Sequence, residues 1–329
     1  MATFISNVFY FFLAFLILIF ISVSSLQLYY DKTGPSNQDQ LLIINKGQSV
    51  ASIASHLRDL NLIENRVVFM ITLRLKGFHN KIKFGEYMIP RAASMKEIIE
   101  KLVSGVSAQY TITIPEGLST ISVIDLINKD MRIKGGLINV TNEGALAPNT
   151  YSFDMTTNKE DLFLKMKDEQ NKILDFAWNK RAPDLPLKSA YELLILASIV
   201  EKEAGNEEDK RKVASVFINR LKKKMRLQSD PTVVFSLTGG KNTLNRDLTK
   251  ADLKIKSPFN TYKIDGLPPS PICNPSKSSI YAVANPIETD FLYFVANGKG
   301  GHNFSNNLKL HNSFVKEYRR LKKKSDFLK

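Results

Sequence analysis

Leu187-Lys-Ser-Ala-Tyr-Glu-Leu-Leu-Ile-Leu-Ala-Ser-Ile-Val-Glu-Lys-Glu-Ala-Gly205 is the most strongly helical stretch of this 329-residue sequence outside its N-terminus. Leu193, Leu196, Ala197, Val200 and Ala204 recur at helical spacing as one apolar stripe, and Gly205 offers a C-terminal stop. The stretch ends in Glu201-Lys-Glu203. Glu203 follows Val200, Ile199 and Leu196 by three, four and seven residues, so it projects from the same face as bulky apolar side chains. Burial there disfavours the charged carboxylate and raises its pKa. A carboxyl that keeps its proton near neutral pH can act as a general acid toward a leaving oxygen, as glycosidic cleavage requires. Glu201, which follows Ala197 and Ser198 at helical spacing, is the competitor. Spacing alone leaves open the plainer reading, in which both are helix-end carboxylates paired with Lys202, Lys210 or Arg211. Against it, both sit near the negative end of the helix dipole, an unfavourable place for a carboxylate.

Working outward from this helix, the pattern predicts an α+β protein: an N-terminal transmembrane helix, a small α+β module and a larger mixed α+β domain. Residues 1–30 carry no charged side chain, and 8–28 are long and apolar enough to cross a bilayer core of about 30 Å. No Lys or Arg precedes Phe9 and Ser22-Val-Ser-Ser25 is a weak cleavage site, so an uncleaved anchor is expected. Residues 31–40, rich in Asp, Asn, Gln, Gly and Pro, read as a flexible linker. The module spans residues 41–105. It should contain a strand at 41–44, a helix capped by Ser49, a helix near 67–75, a strand at 85–89 and a helix capped by Ser94. Residues 110–114 alternate as a half-buried strand does. From 118 to 186 short helical pieces and frequent turns suggest a connecting segment over 106–186. The main domain, 187–329, continues with an amphipathic helix at 208–224, loops beyond Asp230-Pro231, a helix at 276–284, a strand at 291–296, a glycine turn and a last helix at 308–324.

Composition narrows the chemistry. A net charge of +14, from 46 basic and 32 acidic residues, favours polyanionic partners such as nucleic acid, anionic lipid or cell-wall polymer. The membrane segment argues against nucleic acid. Lys316, Arg319, Arg320, Lys322, Lys323, Lys324 and Lys329 concentrate the excess at the C-terminus, where they read as a solvated helix face. The single Cys273 excludes an intramolecular disulfide framework. With no His-Glu-x-x-His or paired Cys-x-x-Cys and four scattered histidines, no metal is expected. No glycine-rich phosphate loop or Gly-x-Ser-x-Gly elbow follows a strand, so no cofactor is expected either.

Six segments carry a family resemblance: 196–203 (Leu-Ala-Ser-Ile-Val-Glu-Lys-Glu), 213–221, 225–233 (Met-Arg-Leu-Gln-Ser-Asp-Pro-Thr-Val), Asn260-Thr-Tyr262, Gly266-Leu-Pro-Pro269 and 293–302 (Tyr-Phe-Val-Ala-Asn-Gly-Lys-Gly-Gly-His). In that order they resemble the MltG (YceG-like) endolytic murein transglycosylases, over nearly the whole chain. The resemblance implies that residues 45–105 form a LysM-like module and that Glu203 is the catalytic acid. It further implies that Gln228, Asp230, Asn260 and Tyr262 line a sugar cleft, and His302 is a weaker candidate for binding. Ala204 stands where other lytic transglycosylases have a serine after the glutamate. Phe259 replaces a common tyrosine and Ser270 a common glycine.

The implied reaction cleaves the MurNAc-GlcNAc bond of nascent strands and leaves a 1,6-anhydroMurNAc end, which terminates elongation near the synthetic machinery. Implied partners are peptidoglycan strands, the membrane crossed once, and peptidoglycan synthases. The soluble part would face the extracytoplasmic side of the inner membrane. The rivals are a muramidase-type hydrolase, with Asp230 activating water, and a non-catalytic wall-binding anchor.

Overall fold

The computed structural model describes residues 2–139, 142–241 and 244–326, and the side chains of all of these except 2–8 and 323–326. The uncharged N-terminal run forms one helix, α1 (Ala2–Asp31), whose segment Phe9–Asp31 has a mean hydropathy of 2.5 and exposes its large apolar side chains from Phe9 to Val23. At 1.5 Å per residue its 23 residues extend roughly 34 Å, enough to cross about 30 Å of hydrocarbon.

The chain divides into two compact units, Met1–Tyr110 with Phe153–Thr156, and Thr111–Ser152 with Thr157–Lys329. In the first, α1 is followed by β1 (Gln40–Ile44), α2 (Val50–Asp59), α3 (Arg66–Leu75), β2 (Gly85–Ile89) and α4 (Met95–Ser104). Strands β1 and β2 pair antiparallel with Leu42 opposite Tyr87, and their alternation turns Leu42, Ile44, Tyr87 and Ile89 inward. These pack with Ile53 and Leu57 of α2, Phe69 and Leu73 of α3, and Ile98 and Leu102 of α4. Each such side chain contributes about 1.5–3 kcal/mol of burial. Ser49 and Ser94 cap α2 and α4 as expected, Ser94 in a capping box with Glu97.

The segment after α1, expected to be flexible, is pinned to this module. Gly34 N donates to Ala92 O at 3.1 Å, Ala92 N to Ser36 O at 2.8 Å, and Arg91 N to the Asp39 carboxylate at 2.8 Å. Its polar residues serve as turn partners, which composition alone does not distinguish from a free linker.

The following elements are β3 (Tyr110–Thr113), α5 (Thr120–Lys129), β4 (Thr150–Phe153) and α6 (Lys159–Asn179), with β3 and β4 paired. The 21-residue α6 corrects the expectation of only short helical pieces here. Its many charges hid a narrow apolar face of Leu162, Met166 and Ala177 behind an Asn158–Asp161 capping box.

Next come α7 (Ala190–Glu203), α8 (Glu207–Lys222), α9 (Asp230–Thr238), α10 (Lys277–Ala284), the hairpin β5 (Tyr293–Ala296) and β6 (His302–Ser305), and α11 (Leu308–Asp326). Every residue of α7 from Leu193 to Val200 is buried. The single stripe read from periodicity is thus the visible part of a helix enclosed on all sides, by α6, α8, α9 and α10. The helix stops just before Gly205, as expected, but through Ala204 in an extended conformation and without a left-handed glycine. α9 replaces the loop expected after Asp230, because Pro231 in the first turn starts a helix as readily as it breaks one. On α11, Lys316, Arg319, Arg320 and Lys322 are exposed, as a solvated basic face requires. Lys329 and the side chains of Lys323 and Lys324 lie outside the described residues.

Candidate active site

Two residues apart on α7, Glu201 and Glu203 point about 200° away from each other. Glu201 is inward and committed. Its Oε2 accepts from Ser276 N at 2.9 Å and from the Ser276 hydroxyl, and its Oε1 lies 3.7 Å from Lys210 Nζ. Lys210 also meets Glu207 at 2.6 Å and Glu116 at 3.5 Å. Burial would depress the Lys210 pKa, but the Glu207 hydrogen bond and the charges of Glu201 and Glu116 outweigh it, so its net shift is upward.

Glu203 instead opens on a cleft of about 500 Å³. Burial is the largest influence on its carboxyl and, with the charge of Asp230, pushes its pKa up to about 7; a Ser229 hydrogen bond and the charge of Arg220 act in the opposite direction. At neutral pH a large share of the molecules therefore carry the proton that a general acid must deliver.

The near wall of the cleft holds three of the residues singled out with Glu203. Gln228 is exposed, with φ at +49°, a left-handed conformation that costs a non-glycine residue about 1–3 kcal/mol. Asp230 opens α9 and accepts from the Tyr262 hydroxyl at 2.6 Å. Burial first, then the Asp230 bond, raises the Tyr262 pKa, which keeps this hydroxyl a donor. Asn260 corrects the expectation. It is fully buried, its amide donates to the carbonyls of Leu253 and Ile255, and its Oδ1 accepts from Tyr262 N. It shapes the loop that presents Tyr262 and does not face the cleft. Phe259 packs its ring against Phe235 at 4.8 Å between centroids, an apolar contact for which a hydroxyl has no use.

The far wall comes from β5, β6 and the start of α11. Tyr293 and His311 stack at 5.2 Å, and His302 meets Phe294 edge to face at 5.4 Å. His302 Nδ1 lies 2.9 Å from the buried Asp209 carboxylate. His311 is held neutral at pH 7 by burial and by the charge of Arg220, and its Nδ1 has no hydrogen-bond partner among the described residues. Arg220 forms the floor, with Nε and Nη1 donating to the carbonyls of Leu292 and Leu227 at 2.7 and 2.6 Å. Sequence reasoning passed over Arg220, Ser229, Tyr293 and His311 as functional residues. All but His311 lie inside the quoted segments, and His311 is four residues into α11. Among the described residues no group of three or more His, Cys, Asp or Glu side chains is arranged to hold a metal ion.

A buried helix thus delivers one proton-holding carboxyl into an open cleft with a hydrogen-bonding near wall and an aromatic far wall, the layout of a general-acid enzyme acting on an extended ligand. The YceG-like family model matches residues 42–317, and the chain belongs to that family. It is 33% identical over 320 residues to the endolytic murein transglycosylase of Bacillus subtilis (strain 168), covering 86% of this chain and 87% of that protein. The endolytic murein transglycosylase of Streptococcus pneumoniae R6 is 27% identical over 84% of this chain, which spans only 57% of that longer protein. In three dimensions the chain is similar to the crystal structure of a YceG-like protein from Listeria monocytogenes. That match has a TM-score of 0.53 and 29% identity, and covers 84% of this chain and 99% of the other.

Proposed function

We propose that this protein is an endolytic lytic transglycosylase that cleaves the MurNAc-GlcNAc bond of nascent peptidoglycan strands. The observation that carries the reading is Glu203, a carboxyl with its pKa near 7 at the edge of a cleft, in a chain of the YceG-like family. Glu203 protonates the glycosidic oxygen and the MurNAc anomeric carbon takes on oxocarbenium character. The resulting carboxylate then accepts the proton of that sugar's own C6 hydroxyl, which closes onto the anomeric carbon. The nucleophile is intramolecular, so its effective concentration is high and no water-activating carboxylate is needed. Gln228, Asp230 and Tyr262 supply hydrogen bonds to the sugar, and Tyr293 and His311 offer flat faces for its C–H surface.

On this reading the module at 41–105 acts as a LysM-like holder for the strand. The α1 helix anchors the enzyme in the inner membrane with the remainder outside the cytoplasm, where strands are extended, within reach of peptidoglycan synthases.

Mass spectrometry of glycan strands digested by the full-length protein tests the reaction. Products ending in 1,6-anhydroMurNAc are expected. Free reducing ends would show that water, activated by Asp230, is the nucleophile and would replace this reading with a muramidase.

A further inference from the structure

Among the described residues, six helices begin at a serine N-cap. At Ser49, Ser94, Ser119, Ser189 and Ser276 the hydroxyl accepts from a first-turn backbone N–H. Ser229, the N-cap of α9, makes no such bond. Its hydroxyl is turned away from the helix it starts and donates to Glu203 Oε1 at 2.7 Å.

The surroundings of Ser229 leave its hydroxyl no other task. Ser229 is buried, and Thr232 and Thr261 beside it are fully enclosed. Ser229 N donates to Thr261 Oγ1 at 2.9 Å, the two threonine hydroxyls are 2.8 Å apart, and Thr232 Oγ1 donates to Ser229 O at 2.7 Å. Following the protons round, Thr261 must donate to Thr232. This closed circuit clamps the Ser229 backbone from both sides and uses every donor in it. The Ser229 hydroxyl is left with one acceptor among the described residues, Glu203 Oε1. The left-handed turn at Gln228 immediately before it, costly for a glutamine, is the kink that presents Ser229 to the end of α7.

We propose that Ser229 is a positioning residue: by holding Glu203 Oε1 as a permanent acceptor, it confines the proton that is given and taken during the reaction to Oε2. The inference rests on the transglycosylase reading. In the first half, the Oε2 proton passes to the leaving oxygen as the C1–O bond breaks. In the second, the C6 hydroxyl proton returns to Oε2 as the O6–C1 bond forms, and no proton or electron pair is left over. Both transfers then use one oxygen in one place, and the bond from Ser229 strengthens when Glu203 is anionic between them.

The test is the pH dependence of kcat/KM for anhydro product formation by the full-length protein. The acid must be protonated, so wild-type kcat/KM falls as pH rises through about 7, the pKa of Glu203 in the unliganded protein. A donor to the carboxylate lowers that pKa, so removing it moves the descending limb to higher pH. Ser229→Ala is expected to raise the limb by about one pH unit and to lower kcat roughly tenfold with KM unchanged. Ser229→Thr, which keeps the hydroxyl, restores the wild-type limb. Ser229→Cys, with a weak S–H donor, moves it in the Ala direction by less and serves if the Ala variant fails to fold. A limb unmoved or lowered in the folded Ala or Cys variant overturns the proposal, even if kcat falls. Wild-type products with reducing ends would instead sink the reaction assignment, and the limb would then be read on those products.

Discussion

Glu201 and Glu203 share a helix, a charge and the same apolar run before them, yet the structure divides them between two environments. Glu201 faces inward and ties three helices together, joining α7 to the N-cap of α10 through Ser276 and to α8 through Lys210. Glu203 faces a cleft, where its one direct hydrogen bond among the described residues comes from the diverted Ser229 hydroxyl. The difference teaches that a carboxylate surrounded by donors is part of the scaffold. A carboxylate deprived of them, at the negative end of a helix, is held in a state that folding alone disfavours. Such a cost persists where chemistry uses it.

The comparison predicts opposite phenotypes, and the largest effect should be on activity. Glu203→Gln keeps the shape and removes the transferable proton, so anhydro product formation should fall by roughly 10³-fold or more in folded protein. Glu201→Gln should leave the rate per folded molecule within a few-fold of wild type. Its own cost should appear in denaturant unfolding, as about 2–4 kcal/mol lost, because Lys210 stays buried with one partner fewer. Equal stability of Glu201→Gln and wild type would contradict the scaffold role.

A third effect concerns pH. The folded-state pKa of Glu203 lies above its unfolded value, at about 7 against 4.5, so the folded protein binds this proton more tightly. Its contribution to stability is fully present below pH 4.5 and is lost as pH rises through 7. Glu203→Gln should therefore raise Tm relative to wild type at pH 8, by the equivalent of about 1–3 kcal/mol, and hardly at all at pH 4. A pH-independent difference would show that folding does not shift the Glu203 pKa and would contradict its burial in a protonated state. The smallest effect separates the serines. Ser94→Ala should cost about 1 kcal/mol of stability through its lost cap, whereas Ser229→Ala gives up no cap.

Much of this was legible in the chain. The apolar spacing of residues 193–204 located α7, and the serines before the helices of the first unit located their caps. Periodicity could not separate Glu201 from Glu203, because what separates them lies elsewhere in the sequence: Ser276, 75 residues on, closes over one, and Ser229 reaches the other. Asn260 was misread for a related reason. Asparagine serves equally to bind a sugar or to bracket a loop, and only the carbonyls of Leu253 and Ile255 decide which. The helix α6 was hidden by its charges, and α9 by a proline that reads as a break unless it falls in the first turn.

The central claim, that Glu203 alone carries the proton, is tested most directly by quantifying 1,6-anhydroMurNAc ends by mass spectrometry. Wild type, Glu203→Gln and Glu201→Gln should be compared at equal folded concentration. The account predicts anhydro ends from wild type and Glu201→Gln and none above background from Glu203→Gln. Anhydro ends from folded Glu203→Gln at the wild-type rate would contradict it.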